Sequence, residues 1–117
     1  MSGANALLAA KDFEGVLGED STVEVIGTSA VEVLGNDPER VFTLLINLSV
    51  NSIYLGFNEQ VGADNGILLS ANGGLMILNS KEDYTLVGRA IYGLASGASS
   101  NLYVLRMRRE AILKVEA

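Results

Sequence analysis

Histidine, cysteine and tryptophan are absent from these 117 residues, proline occurs once, and 8 basic residues face 14 acidic ones. Without cysteine there are no disulfides and no thiolate metal ligands, so stability must come from packing within the chain or against other subunits. Without histidine the side chain that titrates near neutral pH is missing, and nothing in the sequence supplies an evident base for nucleophilic or redox chemistry. A formal charge of −6 builds no broad positive field for nucleic acid or an anionic membrane surface. No apolar run approaches the ~18 residues that a membrane helix needs. The short apolar run at 6–10 has no basic residue ahead of it and fits a secretory signal poorly. These absences point to a soluble, non-enzymatic binding or structural protein with no cofactor, no metal, and neither nucleic acid nor membrane as partner.

What the chain has is aliphatic and β-branched residues. Its hydrophobic fraction of 49% is ample for one continuous core in a single domain of this length. The stretch 41–78 holds only two charged residues, Glu59 and Asp64. Residues 1–21 are Ala- and Gly-rich with no clean period, and are expected to form an N-terminal arm, or a short helix capped by Asn5, ahead of a β domain at 22–117.

From residue 22 the apolar positions alternate. Val23 and Val25 flank Glu24, and Val31 and Val33 flank Glu32, which predicts a hairpin turning at Gly27-Thr28-Ser29. Gly35-Asn36-Asp37-Pro38 is a turn. Along 40–50, Phe42, Leu44, Ile46, Leu48 and Val50 share one face, expected to be core, and Val41, Thr43, Leu45, Asn47 and Ser49 share the other. Asn51-Ser52 suggests a tight turn into a strand at 53–57, and 58–66 a polar loop. Further strands are predicted at 67–70, 75–79, 84–87, 89–94 and 102–108, with Ala71-Asn72-Gly73-Gly74 as a turn. After Arg108, Ala111, Leu113 and Val115 alternate with Ile112, Lys114 and Glu116, which fits a last strand lent to a neighbour or a short helix, the strand being the favoured reading. Short strands at this spacing define an all-β fold, a small antiparallel β-sandwich of jelly-roll type or a barrel.

Each cluster of polar residues has an ordinary structural explanation. The loop from Asn58 to Asn65 gathers oxygen ligands without the regular acidic spacing of a calcium loop. Glu24 with Glu32, and Glu82 with Asp83, are simplest as solvent-facing carboxylates. Asn47-Leu48-Ser49 matches a glycosylation tripeptide but falls inside a predicted strand. Arg106, Arg108 and Arg109 could pair with a partner's carboxylates or protect a solvated sheet edge. Tyr54, Tyr92 and Tyr103 fit either a core or an interface. The stronger signal is collective. Val41, Leu45 and Tyr54 add a second apolar face to strands whose first face already serves the core, and a domain this small has little left to cover it. The expected interface residues are therefore Val41, Leu45, Tyr54, Arg106, Arg108 and Arg109, and the expected partner is another copy of the chain.

Across residues 40–109, Asn47-Leu48-Ser49-Val50-Asn51-Ser52-Ile53-Tyr54-Leu55-Gly56-Phe57, then Gly66-Ile67-Leu68-Leu69-Ser70-Ala71-Asn72-Gly73-Gly74, then Ile91-Tyr92-Gly93-Leu94-Ala95-Ser96-Gly97 and Leu102-Tyr103-Val104 resemble a pattern of small virion proteins of tailed bacteriophages. The resemblance implies a capsid decoration, or cement, protein: a jelly-roll-like sandwich, commonly a homotrimer, made in the host cytoplasm and bound on the capsid surface to the major capsid protein or another virion protein. Tail, collar and fibre-base attachment modules, some contacting carbohydrate, share this type of sandwich and form the alternative.

Overall fold

The computed structural model describes residues 15–111. The alternating segments form β1 (Gly15–Ile26), β2 (Val31–Leu34), β3 (Arg40–Asn47), β4 (Ile53–Gly56), β5 (Ile67–Leu69), β6 (Leu75–Asn79), β7 (Ile91–Ala95) and β8 (Ser100–Ala111). A helical turn α1 (Ser80–Asp83) and a 3-10 turn (Tyr84–Gly88) lie between β6 and β7. The strands make two four-stranded sheets, ordered β1-β8-β3-β6 and β2-β7-β4-β5. Antiparallel pairs join first with last, second with seventh, third with sixth and fourth with fifth. The chain is thus one long hairpin, hinged at the loop 57–66 and rolled so that successive strand pairs fall alternately in the two sheets. This is the jelly-roll sandwich, and it resolves the sandwich-or-barrel alternative.

The core lies between the sheets. Leu45, Leu102 and Val104 from one layer meet Ile53, Leu55 and Ile91 from the other, all at 0% exposure. Each contributes on the order of 2 kcal/mol by leaving water. Gly93 of β7 sits where an added Cβ would meet the side chains of Leu55 and Val33 at 3.1 and 3.3 Å, so a small residue lets the layers close.

Several sequence expectations are corrected. The segments at 22–26 and 31–34 are not a hairpin: β1 pairs with β8, and β2 pairs with β7 in the opposite sheet. The turn at Asn51-Ser52 is likewise an arch from β3 in one sheet to β4 in the other. Residues 84–87 form a 3-10 turn rather than a strand. Residues 15–21, expected in the arm, are strand paired with β8 up to Gly15↔Ala111. The remainder of the arm expectation, and the alternation of Leu113 and Val115, lie outside the described residues.

The inward face of β3 is the reverse of that expected. Val41, Thr43, Leu45 and Asn47 are buried, Phe42, Leu44 and Ile46 are half-buried on the outside, and Leu48 and Val50 are exposed beyond the strand end. The physical reason lies in the two polar residues of the buried set. Thr43 donates its hydroxyl to the Leu105 carbonyl at 3.1 Å, and Asn47 satisfies both ends of its amide, so neither is penalised by burial.

Candidate interaction surfaces

Residues opposite one another in an antiparallel register share a face, so pairing shows what the β1-β8-β3-β6 sheet presents outward. One row crosses all four strands as Val23, Tyr103, Ile46 and Leu75. The next runs Ser21, Leu105, Leu44 and Ile77, and the third Glu19, Met107, Phe42 and Asn79. Among the described residues, Glu19 is the single charge in these three rows. On the edge strands, Val23, Leu75 and Ile77 are 53%, 54% and 49% exposed.

Four strands spaced ~4.8 Å apart, carrying three rows ~7 Å apart, give a flat footprint of about 400 Å², a size that is often functional on a monomer. Covering it on two copies removes about 800 Å² from water, a contact at the small end of the range for protein pairs. The outer face of the other sheet is smaller but similar, with Tyr54 beside Leu94 and Leu68 in one row.

The expected interface residues separate on this frame. Val41 and Leu45 are in the core, at 7% and 0% exposure, and are not surface residues. Their neighbours Phe42, Leu44 and Ile46 form the apolar outer face in their place. Tyr54 is half-buried on the outer face of the second sheet, and Tyr92 and Tyr103 also lie on outer faces rather than in the core. The three arginines are paired within the chain: Arg106 with Asp20 at 2.6 Å, Arg108 with Asp37 at 2.9 Å and Arg109 with Glu39 at 3.6 Å. Strand β8 is internal to its sheet, so these arginines do not guard an edge either. The outer-face residues carried one signal in sequence, aliphatic side chains at both parities of β3 and β8.

The arginines belong to a charged end of the sandwich organised by Arg40. Arg40 is 3% exposed, at an irregularity in the β3–β8 register. Its guanidinium donates to the carbonyls of Val87, Gly35 and Arg89 at 2.8, 3.1 and 2.6 Å, tying the β2–β3 loop to the 3-10 turn. Burial lowers its pKa from the ordinary value, the charge of Asp37 opposes that, and Arg106 adds to the lowering. A cleft of about 350 Å³ beside it is lined by Pro38, Val41, Thr85 and Arg109 among others.

Asp37 accepts from Arg108 Nε at 2.9 Å and Nη2 at 3.3 Å and from the Glu39 backbone N–H at 3.0 Å. The Arg108 hydrogen bond holds its carboxyl below the ordinary 3.8, with desolvation opposing and the Glu39 N–H helping. A lowered folded pKa means that the contribution to stability is full above the unfolded value and is lost as pH falls through the folded one. Asp37→Asn keeps an acceptor for the Glu39 N–H and replaces the oxygen that accepts from Arg108 Nε by a donor, so it removes the charge together with that hydrogen bond. Because the pair is partly exposed, the variant should lose less than about 1 kcal/mol. Urea midpoints measured across pH should show that deficit from neutral pH down to about 3.8 and its closure below.

At the opposite end Asn47 fastens two loops, and Asn51 carries the network to a third. Its Nδ2 donates to the carbonyls of Asn51, Leu69 and Ser70 at 2.7, 3.0 and 3.1 Å, while its Oδ1 accepts from the N–H and hydroxyl of Ser49, both at 2.8 Å. Asn51 donates to the Ser100 hydroxyl, which donates to the Gly97 carbonyl, both at 2.9 Å. A Cβ at Gly97 would stand 2.7 Å from the Asn51 side chain. At 0% exposure and with its nitrogen engaged, Asn47 is no glycan acceptor. The asparagines and glycines of the motif thus act as fasteners.

The remaining polar candidates are dispersed. Glu24 and Glu32 lie on strands of different sheets. Asp83 accepts from the Asn79 N–H and Asn79 accepts from the Glu82 N–H, which closes α1. In the hinge loop Asn58 and Asn65 bond to Gln60, and Glu59 and Asp64 are exposed. Among the described residues no three His, Cys, Asp or Glu side chains gather as a metal ion would need, and no helix is long and apolar enough to cross a membrane.

Neither a protein family nor a curated protein matches the chain. Among solved structures it is similar to a chain from Bacillus endospore appendages, which form a novel family of disulfide-linked pili. The TM-score is 0.50 at 9% identity, over 82% of this chain and 88% of that one. At this identity the likeness concerns the fold.

Proposed function

We propose that this chain is a non-enzymatic structural subunit of a tailed-bacteriophage virion. In this reading it is a decoration, or cement, protein that assembles as a homotrimer and stabilises the head by binding the major capsid protein. The observation that carries the reading is the outer face of the β1-β8-β3-β6 sheet, where apolar side chains span four strands with one charge. A partner surface would remove such a face from water, and further copies of the chain are the simplest source. The motif resemblance to small virion proteins supplies the setting, and occupancy of many equivalent capsid sites would add avidity to modest single contacts.

Size-exclusion chromatography with light scattering tests the reading. The wild type should elute as a multimer, and Val23→Glu with Ile77→Glu, both exposed positions on the face, should abolish association through that face and lower the mass accordingly while circular dichroism stays unchanged. A wild type that is monomeric at micromolar concentration sinks the proposal. The fold shared with an appendage chain favours one further reading, a filament subunit that, lacking cysteine, assembles without disulfide links. Electron microscopy of the concentrated protein separates the two, since closed trimers do not elongate.

A further inference from the structure

The sequence holds two Asn-Gly pairs, Asn65-Gly66 and Asn72-Gly73, and both lie in turns. Asparagine is thermolabile, and a glycine after it removes the side chain that would otherwise crowd the next backbone nitrogen. That nitrogen can attack the asparagine Cγ. In sequence the two pairs are alike, but the fold sets them apart.

At Asn72-Gly73 the backbone donors are held. The Gly73 N–H donates to the Asn47 carbonyl at 2.7 Å, the Asn72 N–H to the Ser49 carbonyl at 2.7 Å and the Gly74 N–H to the Ser70 carbonyl at 3.0 Å. Before the Gly73 nitrogen can act as a nucleophile, its bond to the 0%-exposed Asn47 must open.

At Asn65-Gly66 the nitrogen is not engaged. Among the described residues the Gly66 N–H makes no hydrogen bond, while the Asn65 N–H donates to the Gly62 carbonyl at 3.2 Å and Asn65 Nδ2 to the Gln60 carbonyl at 3.1 Å. Asn65 is exposed, so water reaches its amide. The fold also forbids the simplest protection, a larger residue at 66. An added Cβ there would stand 2.8 Å from the Gly62 carbonyl oxygen and 2.9 Å from the Tyr54 Cβ. Packing thus demands glycine at the pair whose nitrogen is unoccupied.

We propose that Asn65-Gly66 is a site of spontaneous deamidation built into the hinge loop. The Gly66 nitrogen bonds to Asn65 Cγ, the Cγ–Nδ2 bond breaks, and Nδ2 leaves as ammonia with the proton that Gly66 gives up. The cyclic imide takes up one water and opens at either carbonyl, which yields aspartate or isoaspartate at 65. Either product loses the donor to the Gln60 carbonyl and sets a second carboxylate beside Asp64. Isoaspartate also lengthens the backbone, and the close packing around Gly66 leaves the 57–66 loop to absorb the added atom. The modification loosens the hinge between the two halves of the rolled hairpin.

The test is incubation of the full chain in mildly alkaline buffer, folded and in urea, followed by fragmentation mass spectrometry and isoaspartyl methyltransferase labelling. Folded protein should gain about 1 Da at residue 65, with isoaspartate present. The gain should be about tenfold faster than at residue 72, the factor set by one hydrogen bond that has to open first. In urea the two sites should convert at similar rates. Asn65→Gln, whose longer side chain closes the ring poorly, should stay unmodified at 65. Asn65→Asp should speed hydrogen exchange of the 58–66 amides while circular dichroism stays unchanged. Equal rates at 65 and 72 in folded protein, aspartate without isoaspartate, or no conversion at 65 while the urea-treated chain converts would each overturn the site. If Asn65→Asp exchanges as slowly as wild type, the hinge is not loosened and that consequence fails.

Discussion

Asn47→Ala should lower stability by about 3 kcal/mol, a large share of the 5–15 kcal/mol typical of a domain. The substitution withdraws a donor from three carbonyls and an acceptor from the Ser49 N–H and hydroxyl, at a position of 0% exposure. Two of those carbonyls keep a second donor, Ser49 Oγ for Asn51 and the Gly74 N–H for Ser70, so the loss stops short of complete orphaning. A urea titration should place the midpoint about 1–3 M lower with an unchanged slope. Asn47→Asp provides the sharper control. Its second oxygen would face the same carbonyls, so at neutral pH it should be at least as unstable as the alanine variant. A buried carboxyl in that position binds its proton more tightly folded than unfolded, so stability should rise as pH falls. If Asn47→Ala costs less than about 1 kcal/mol, the asparagine is not the fastener described here.

The contrast between Asn47 and the rest of β3 shows what sequence reveals. Alternation located the strands well: β6 falls at Leu75–Asn79 as expected, and β5, β7 and β8 shift only at their ends. Alternation does not say which parity faces in when both are apolar. Phe42, Leu44 and Ile46 are more hydrophobic than Val41, Thr43, Leu45 and Asn47, yet the second set is buried. Burial followed the hydrogen-bond partners that Thr43 and Asn47 find in distant segments, and no local pattern records those.

Turns were misjudged for a related reason. A Gly-Thr-Ser or Asn-Ser turn reads the same whether the chain returns beside itself or crosses to the facing sheet, and here it crosses. The pairing of β1 with β8 joins segments some eighty residues apart, a relation that period-two reasoning cannot supply. The apolar outer face was legible as an excess, apolar residues at both parities and a stretch from 41 to 78 almost without charge, but its position on the molecule waited on the parity of one strand.

That parity is tested most directly by comparing Leu45→Ala with Leu44→Ala. Leu45 is at 0% exposure and belongs to the packed cluster between the sheets, whereas Leu44 pairs with Leu105 and Ile77 on the outer face. In the Val23→Glu/Ile77→Glu background, where association through the face is removed, Leu45→Ala should cost about 2–5 kcal/mol for the lost transfer energy and the cavity left behind. Leu44→Ala in the same background should cost less than about 1 kcal/mol, because its side chain keeps only flanking neighbours. In the wild-type background the Leu44 deficit should grow with protein concentration, since the proposed assembly would bury Leu44 against another copy and its loss would weaken assembly as well. Chemical denaturation at two protein concentrations measures all four values. Equal costs for the two leucines in the face-disabled background would mean that β3 buries both its faces within one copy, and the outer sheet surface would then offer no reason for assembly.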